Sequence, residues 1–135
     1  IDAGETPEQA ALRELREEVA LELPPEAILG RLDDYSTHSG FAITPVVLWA
    51  DDARPMVANP DEVASIHRIA LDEFQRPDAP MLEYGVHAHP VLRMPLGDNW
   101  IAAPTAAFLY QFRGVCLCGR LARVAHFEQP EFAWR

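Results

Sequence analysis

Cysteine is scarce: Cys116 and Cys118 are the only two in 135 residues. They stand two apart in a helix-like stretch, where residues i and i+2 do not face each other. That spacing argues against an internal disulfide. Without a second pair or a matched histidine cluster, the two give little support for zinc. Both read as packing residues in a reducing compartment, which makes a cytoplasmic location the expectation. Long apolar runs are also missing, since none approaches the ~20 residues of a membrane span. There is no signal-peptide pattern, although the first residues look internal to a motif, so the true N-terminus need not be visible. Positive charge is short as well: 11 Lys and Arg stand against 21 Asp and Glu, giving a net charge of −10 and a pI near 4.8. Nucleic acids and anionic membranes call for clustered cations, so neither is expected as a partner. A phosphate substrate would need local cations or bound metal ions to overcome this field.

Apolar residues make up 49% of the chain, enough for a real core, and the length is that of one ordinary domain. No repeat, low-complexity tract or linker interrupts it. Residues 6–20 read as an amphipathic helix. Thr6 can cap it, Pro7 suits the first helical position, and Gln9 completes a capping box. Pro24 and Pro25 end it. Strands are expected at 28–35 and at 41–50, where Pro45 signals an edge or a bulge. A third is expected at 62–71, followed by a short helix at LDEF. Residues 81–85 and 89–94 suit a hairpin. A last helix is expected over 105–124, with Phe108, Leu109, Phe112 and Val115 on its apolar stripe. The tail HFEQPEFAWR is too aromatic for a free, solvated end. This order of elements predicts an α/β sandwich.

The stretch ALRELREEVAL, residues 11–21, carries the chemistry. At about 100° per residue, Leu12, Leu15 and Val19 share one side of the helix. Glu14, Glu17 and Glu18 share another, at the i, i+3, i+4 spacing where side chains meet. Three carboxylates converging on one point repel unless a cation sits there, and hard divalent ions prefer oxygen ligands. Taken alone, the three glutamates are better explained as a solvated charged face, because glutamate is a good helix former. Two neighbours shift that balance. Glu5 precedes the cap, where its carboxylate can point back over the same face. Arg13 sits beside Glu14, placed to orient a carboxylate.

Together these residues spell E-x7-R-E-L-x-E-E-x-x-L, which resembles the Nudix box, G-x5-E-x7-R-E-U-x-E-E-x-G-U with U aliphatic. Glu5, Arg13, Glu14, Leu15, Glu17, Glu18 and Leu21 match. The first box glycine would fall just before Ile1, and Ala20 replaces the last one, which helps the chain leave the helix. The region GFAITPVVLWA to NPDEVASIHRIAL, and WIAAPTAAFLYQF further on, is similar to the coenzyme A pyrophosphatase branch of that family. The resemblance implies a single Nudix domain over 1–135, lacking its N-terminal part: an α/β/α sandwich around a mixed sheet. It implies Mg²⁺ or Mn²⁺ held by Glu14, Glu17 and Glu18, with Arg13 orienting a box carboxylate. Glu5 would pair with Arg13 or help at the metal, and Glu17, Glu14, Arg13 and Glu5 would form the catalytic set. The implied reaction is hydrolysis of the diphosphate bond in a small nucleoside-diphosphate derivative. A coenzyme A-type substrate comes first, ADP-ribose or a nucleotide sugar second. A non-catalytic Nudix-fold binding or regulatory module is the rival, and a homodimer is a further expectation.

Outside the box, Glu62 in NPDEV is a candidate extra metal ligand or base, equally readable as a polar residue opening a strand. Asp61 reads as a turn residue, His38 as a surface loop residue, and His67 as structural. His87 and His89 have no third ligand at suitable spacing and read as loop residues. Arg68, Arg93 and Tyr84 are candidates for phosphate or base contact. Trp49 and Trp100 read as core or rim packing.

Overall fold

The computed structural model describes residues 1–51, 55–84 and 90–119. His87, His89 and the aromatic tail lie outside them, as does the end of the expected last helix. The described chain forms two compact units. One holds residues 1–31 and 46–68, the other residues 32–45 and those from 69 onward.

The first unit is built on helix α1, Pro7–Val19. Its start is written in local chemistry. The Thr6 hydroxyl accepts the Gln9 amide at 3.1 Å, and the Gln9 side-chain oxygen accepts the Thr6 amide at 2.9 Å. Pro7 occupies the first turn, where its missing N–H costs nothing. The buried positions here are Ala10 and Leu21, while Leu12, Leu15 and Val19 are only half-buried. Strands β1, Ile28–Arg31, and β4, Val46–Leu48, pair antiparallel in the same unit. The register slips between Ile28 and Gly30, so Leu29 is a bulge residue and stands 63% exposed.

The second unit holds the better-packed core. Strands β2, Tyr35–Ser36, and β3, Ala42–Ile43, form a short pair across a turn at 37–40. Strands β5, Met81–Glu83, β6, Val91–Leu96, and β7, Asn99–Ala102, make an antiparallel sheet with β6 central. Leu92 and Met94 of β6 are fully buried, and helix α2, Thr105–Phe112, meets that core through Ala106 and Ala107. Small side chains let the helix backbone approach the sheet closely. Phe108 reaches Tyr35 edge to face at 6.1 Å. Gln111 is buried too, its oxygen accepting the Asp33 amide at 2.8 Å.

Helices combined with antiparallel strands agree with the expected α/β class. Several elements differ from the sequence reading. Residues 62–71 form no strand. The amides of Glu62 and Val63 both donate to the Asn59 carbonyl, which closes a turn, and a 3₁₀ turn follows at Leu71–Gln75. The expected strand at 41–50 is split, because Pro45 cannot donate and its carbonyl instead accepts the Leu32 amide at 2.9 Å. The last α-helix passes into a π turn at Arg113–Leu117. That change of pitch turns Val115 and Cys116 outward, so neither packs as expected. Among the described residues no helix is long and apolar enough to cross a membrane.

Candidate functional site

Arg13 is the organising side chain of the first unit. A turn at Asp2–Glu5, with Gly4 at φ 77°, brings Glu5 back over α1. The Glu5 carboxylate accepts the Asp2 amide at 2.9 Å and grips Arg13 with both oxygens, at 2.8 Å to Nε and 3.0 Å to Nη2. The remaining arm of the fork, Nη1, donates to Glu17 at 3.0 Å, and Glu14 lies 3.8 Å from Nη2. A planar guanidinium matches a carboxylate with two parallel bonds and still has a donor free for a second. Held this way, Glu5 titrates at about 2, well below its ordinary value, chiefly through the Arg13 hydrogen bonds and then the Asp2 amide. The Arg13 guanidinium is pushed further up, mainly by Glu5. Glu5 and Arg13 are mostly sheltered, with 14% and 25% of their side chains exposed, whereas Glu14 and Glu17 each stand 48% exposed.

The other end of the helix is closed by a distant segment. The Ala20 amide donates to Arg16 and Leu15, and the Leu21 amide donates to Leu15. The Glu18 carbonyl accepts the Asn59 amide at 2.7 Å, and the Val19 carbonyl accepts the Val57 amide at 2.9 Å. These bonds satisfy carbonyls that a helix end leaves without partners. They also dock the turn carrying Glu62 onto the helix end carrying Glu18. Sequence reasoning missed Asn59. Its signal was the Asn-Pro step that favours a turn.

The candidate residues are thus gathered in one unit, but their carboxylates are not closed on a point. Among the described residues, no three His, Cys, Asp or Glu side chains stand together as a ready metal site. That differs from the expected convergence, for a physical reason. Like charges at this spacing repel, and Arg13 draws Glu17 to itself. The donor chemistry nevertheless fits a hard divalent cation, with three carboxylates on one helical face. The half-exposed Glu14 and Glu17 side chains can change staggered rotamer at small cost. Of the other candidates, His38, Tyr84 and Arg93 belong to the second unit. Arg93 there pairs with Glu83 at 2.7 Å and lies 4.4 Å over the Trp100 ring. Arg68 and His67 are exposed, and His67 contacts Ser65 at 2.8 Å.

The family model for the NUDIX domain matches residues 1–89. The chain belongs to the Nudix domain family. Its Nudix relatives include proteins called "Uncharacterized Nudix hydrolase NudL". The one from Cronobacter sakazakii is 44% identical over 69 residues, which is 50% of this chain and 35% of that protein. The one from Yersinia enterocolitica is 38% identical over 68 residues, 50% of this chain and 35% of its own. The one from Pectobacterium atrosepticum is 43% identical over 67 residues, 48% and 34%. The matched segment therefore spans about a third of the length of these relatives. The Nudix box in this chain departs from the pattern at Ala20, which holds the left-handed conformation, φ 57° and ψ 28°, that a glycine adopts without cost.

Proposed function

We propose that the chain forms a Nudix domain that hydrolyses the diphosphate bond of a small nucleoside-diphosphate derivative with the help of Mg²⁺ or Mn²⁺. The observation that carries this reading is the Glu5–Arg13–Glu17 network, with Glu14 and Glu18 on the same helical face. Glu14, Glu17 and Glu18 are the residues to hold the ion, with Glu62 a further candidate from the docked turn. When bound, a divalent ion neutralises the diphosphate and lowers the pKa of the attacking water. Glu5 keeps Arg13 in place, and Arg13 holds one of the two carboxylate oxygens of Glu17. The half-exposed glutamates leave the face open to solvent and to an incoming substrate.

Likeness of the region after the box to the coenzyme A pyrophosphatase branch makes a coenzyme A-type substrate the first reading. ADP-ribose or a nucleotide sugar is the second, and one observation favours it. Of the four described arginines in the box unit, Arg13 is engaged by Glu5 and Glu17, and Arg31 by Glu8, while Arg16 stands exposed. That leaves few cations for the additional 3′-phosphate of coenzyme A, and an unpaired phosphate is costly to shelter. A screen of nucleoside-diphosphate compounds with Mg²⁺ and with Mn²⁺, read by product analysis, decides. Release of adenosine 3′,5′-bisphosphate supports the first reading. Cleavage of ADP-ribose with coenzyme A untouched supports the second. No cleavage of any member would favour a binding module and overturn the hydrolytic reading.

A further inference from the structure

Two clefts in the first unit share one residue, Leu23. One, of about 270 Å³, runs from Leu23 and Pro24 past Glu26 to Leu29, Trp49 and Asp51. The other, of about 260 Å³, is lined by Gln9, Leu12, Arg13, Arg16, Glu22 and Leu23. We propose that the Trp49 cleft is a receptor for an arginine side chain, and that its occupant is Arg16 of a second copy of this chain, paired about a two-fold axis near Leu23.

Trp49 was expected to pack in the core or at its rim, yet 58% of it is exposed, in the same cleft as the bulge residue Leu29. The Trp49 amide donates to the Ala27 carbonyl at 2.8 Å, extending the β1–β4 pair by one residue. The indole N–H donates to Asp51 Oδ1 at 2.6 Å, so the ring is tethered rather than loose. An aromatic face attracts a cation set over it, and arginine suits it best because its plane can stack while its fork reaches a carboxylate. The rim supplies two carboxylates, Glu26 and Asp51, and neither pairs with a cation among the described residues. Leu23 and Leu29 offer apolar surface for the methylene stem. The second unit holds the same trio in filled form: Arg93 lies 4.4 Å over the Trp100 ring and its Nη1 pairs with Glu83 at 2.7 Å. The Trp49 cleft has the ring and the acids without the guanidinium.

Arg16 is the donor that the same surface supplies. It is exposed and makes no ion pair among the described residues. Because Leu23 is common to both clefts, donor and acceptor lie side by side. A two-fold contact sets residue i on j and j on i. An axis near Leu23 therefore fills both Trp49 clefts at once and takes Trp49 and Leu29 out of water. Two copies with a net charge of −10 repel at a distance. An arginine seated between a ring and two carboxylates is a local attraction that opposes this.

Sedimentation equilibrium over a concentration series, in EDTA, reads the association. Wild type is expected to show a reversible monomer–dimer equilibrium. Arg16→Ala and Trp49→Ala should each weaken it at least about tenfold, because each cation–π contact is lost twice in a two-fold dimer. Arg16→Lys should recover only part, since it keeps the charge without the stacking plane. Mixing Arg16→Ala with Trp49→Ala gives the sharper reading. In the mixed dimer the first copy offers an intact Trp49 cleft and the second an intact Arg16, so one of the two contacts returns. The mixture must associate more tightly than either variant alone. If Trp49→Ala does not fold, a Glu26→Gln, Asp51→Asn variant takes its place in the same mixture. A wild type that stays monomeric at every concentration would overturn the inference. So would unchanged association in the variants, or a mixture no tighter than its components. None of these measurements involves turnover, so failure of the hydrolytic reading leaves them unaltered.

Discussion

Replacing Ala20 with glycine should stabilise the protein, although glycine is ordinarily a poor residue inside a helix. Ala20 ends α1 at φ 57°, ψ 28°, and is the one non-glycine residue with positive φ among those described. In that region the Cβ crowds the following carbonyl, at a cost of roughly 1–2 kcal/mol. Glycine removes this cost but brings back about 0.5–1 kcal/mol of backbone entropy to be lost on folding. Ala20 is exposed, so no packing is lost with its methyl. The difference leaves a gain of about 0.5–1 kcal/mol. With about 2.1 cal/mol/K of unfolding entropy per residue over 135 residues, Tm rises by about 2–4 °C. Thermal melts followed by circular dichroism, in EDTA, give the shift. A urea series with unchanged slope would locate it in stability rather than in the denatured state. Valine at the same position supplies the control, because a β-branched residue tolerates positive φ worst. The expected order of Tm is Gly above Ala above Val. Were Ala20 an ordinary helical residue, alanine would come first and glycine last. That order would refute the reasoning.

Glu17→Gln keeps size and a hydrogen-bonding oxygen but removes one charge from the crowded face. On the proposed mechanism kcat falls by orders of magnitude while Tm is unchanged or slightly higher; near-normal turnover would remove the face from the catalytic centre. Mg²⁺ or Mn²⁺ should raise Tm with concentration, since binding only the folded state adds about 2.7 kcal/mol at a hundred times Kd. A combined Glu14→Gln, Glu17→Gln, Glu18→Gln variant should lose that shift, and a full shift in it would place the ion elsewhere. Acid stability follows Glu5, whose carboxyl titrates at about 2 in the folded protein against 4.5 ordinarily. Its contribution is complete above about pH 4.5 and is lost as the pH falls towards 2, because there the unfolded chain binds the proton first. Glu5→Gln should flatten the Tm–pH curve across that window, and an unchanged slope would show that the Arg13 pair does not hold in solution.

What was legible in the sequence was local. The start of α1 followed from Thr6, Pro7 and Gln9, because a capping box is complete within four residues. The β5–β6 pair followed from the punctuation around it, and its register aligns Leu82 with Leu92. Segment 62–71 failed because its alternating apolar residues gave no sign that Asn59 would capture two amides and close a turn. The α2 core was legible in part, since Phe108 and Leu109 pack against it and Phe112 meets Phe74 edge to face. The large residues Phe108, Leu109 and Phe112 drew attention, but the fully buried contacts are made by Ala106 and Ala107, whose value lies in what they lack. At the site, the box residues were readable because helix geometry fixes their spacing. The docking of Val57 and Asn59 on the helix end was not, since it uses backbone groups that every residue carries.

The network also explains how α1 tolerates its own charges. Asp2, Glu5, Glu14 and Glu17 place four carboxylates within 3.8 Å of the one Arg13 guanidinium, so negative charge is in excess there even before Glu18 is counted. Arg13 does not neutralise this evenly. Two of its bonds are spent on the sheltered Glu5 and one on the half-exposed Glu17. Glu14 is held only at 3.8 Å from the guanidinium, in a zone where solvent screens the attraction. The Glu5 pair is therefore the fixed part of the site, and the helix glutamates are the adjustable part. On the proposed mechanism, an anionic diphosphate approaching the bare face meets net repulsion, so its binding would be coupled to the arrival of positive charge. Arg13 cannot supply that charge without releasing Glu5, the partner it binds with two oxygens. A lysine in its place would keep the charge but lose the planar fork, and with it the link that lets one cation hold Glu5 and Glu17 in fixed relation.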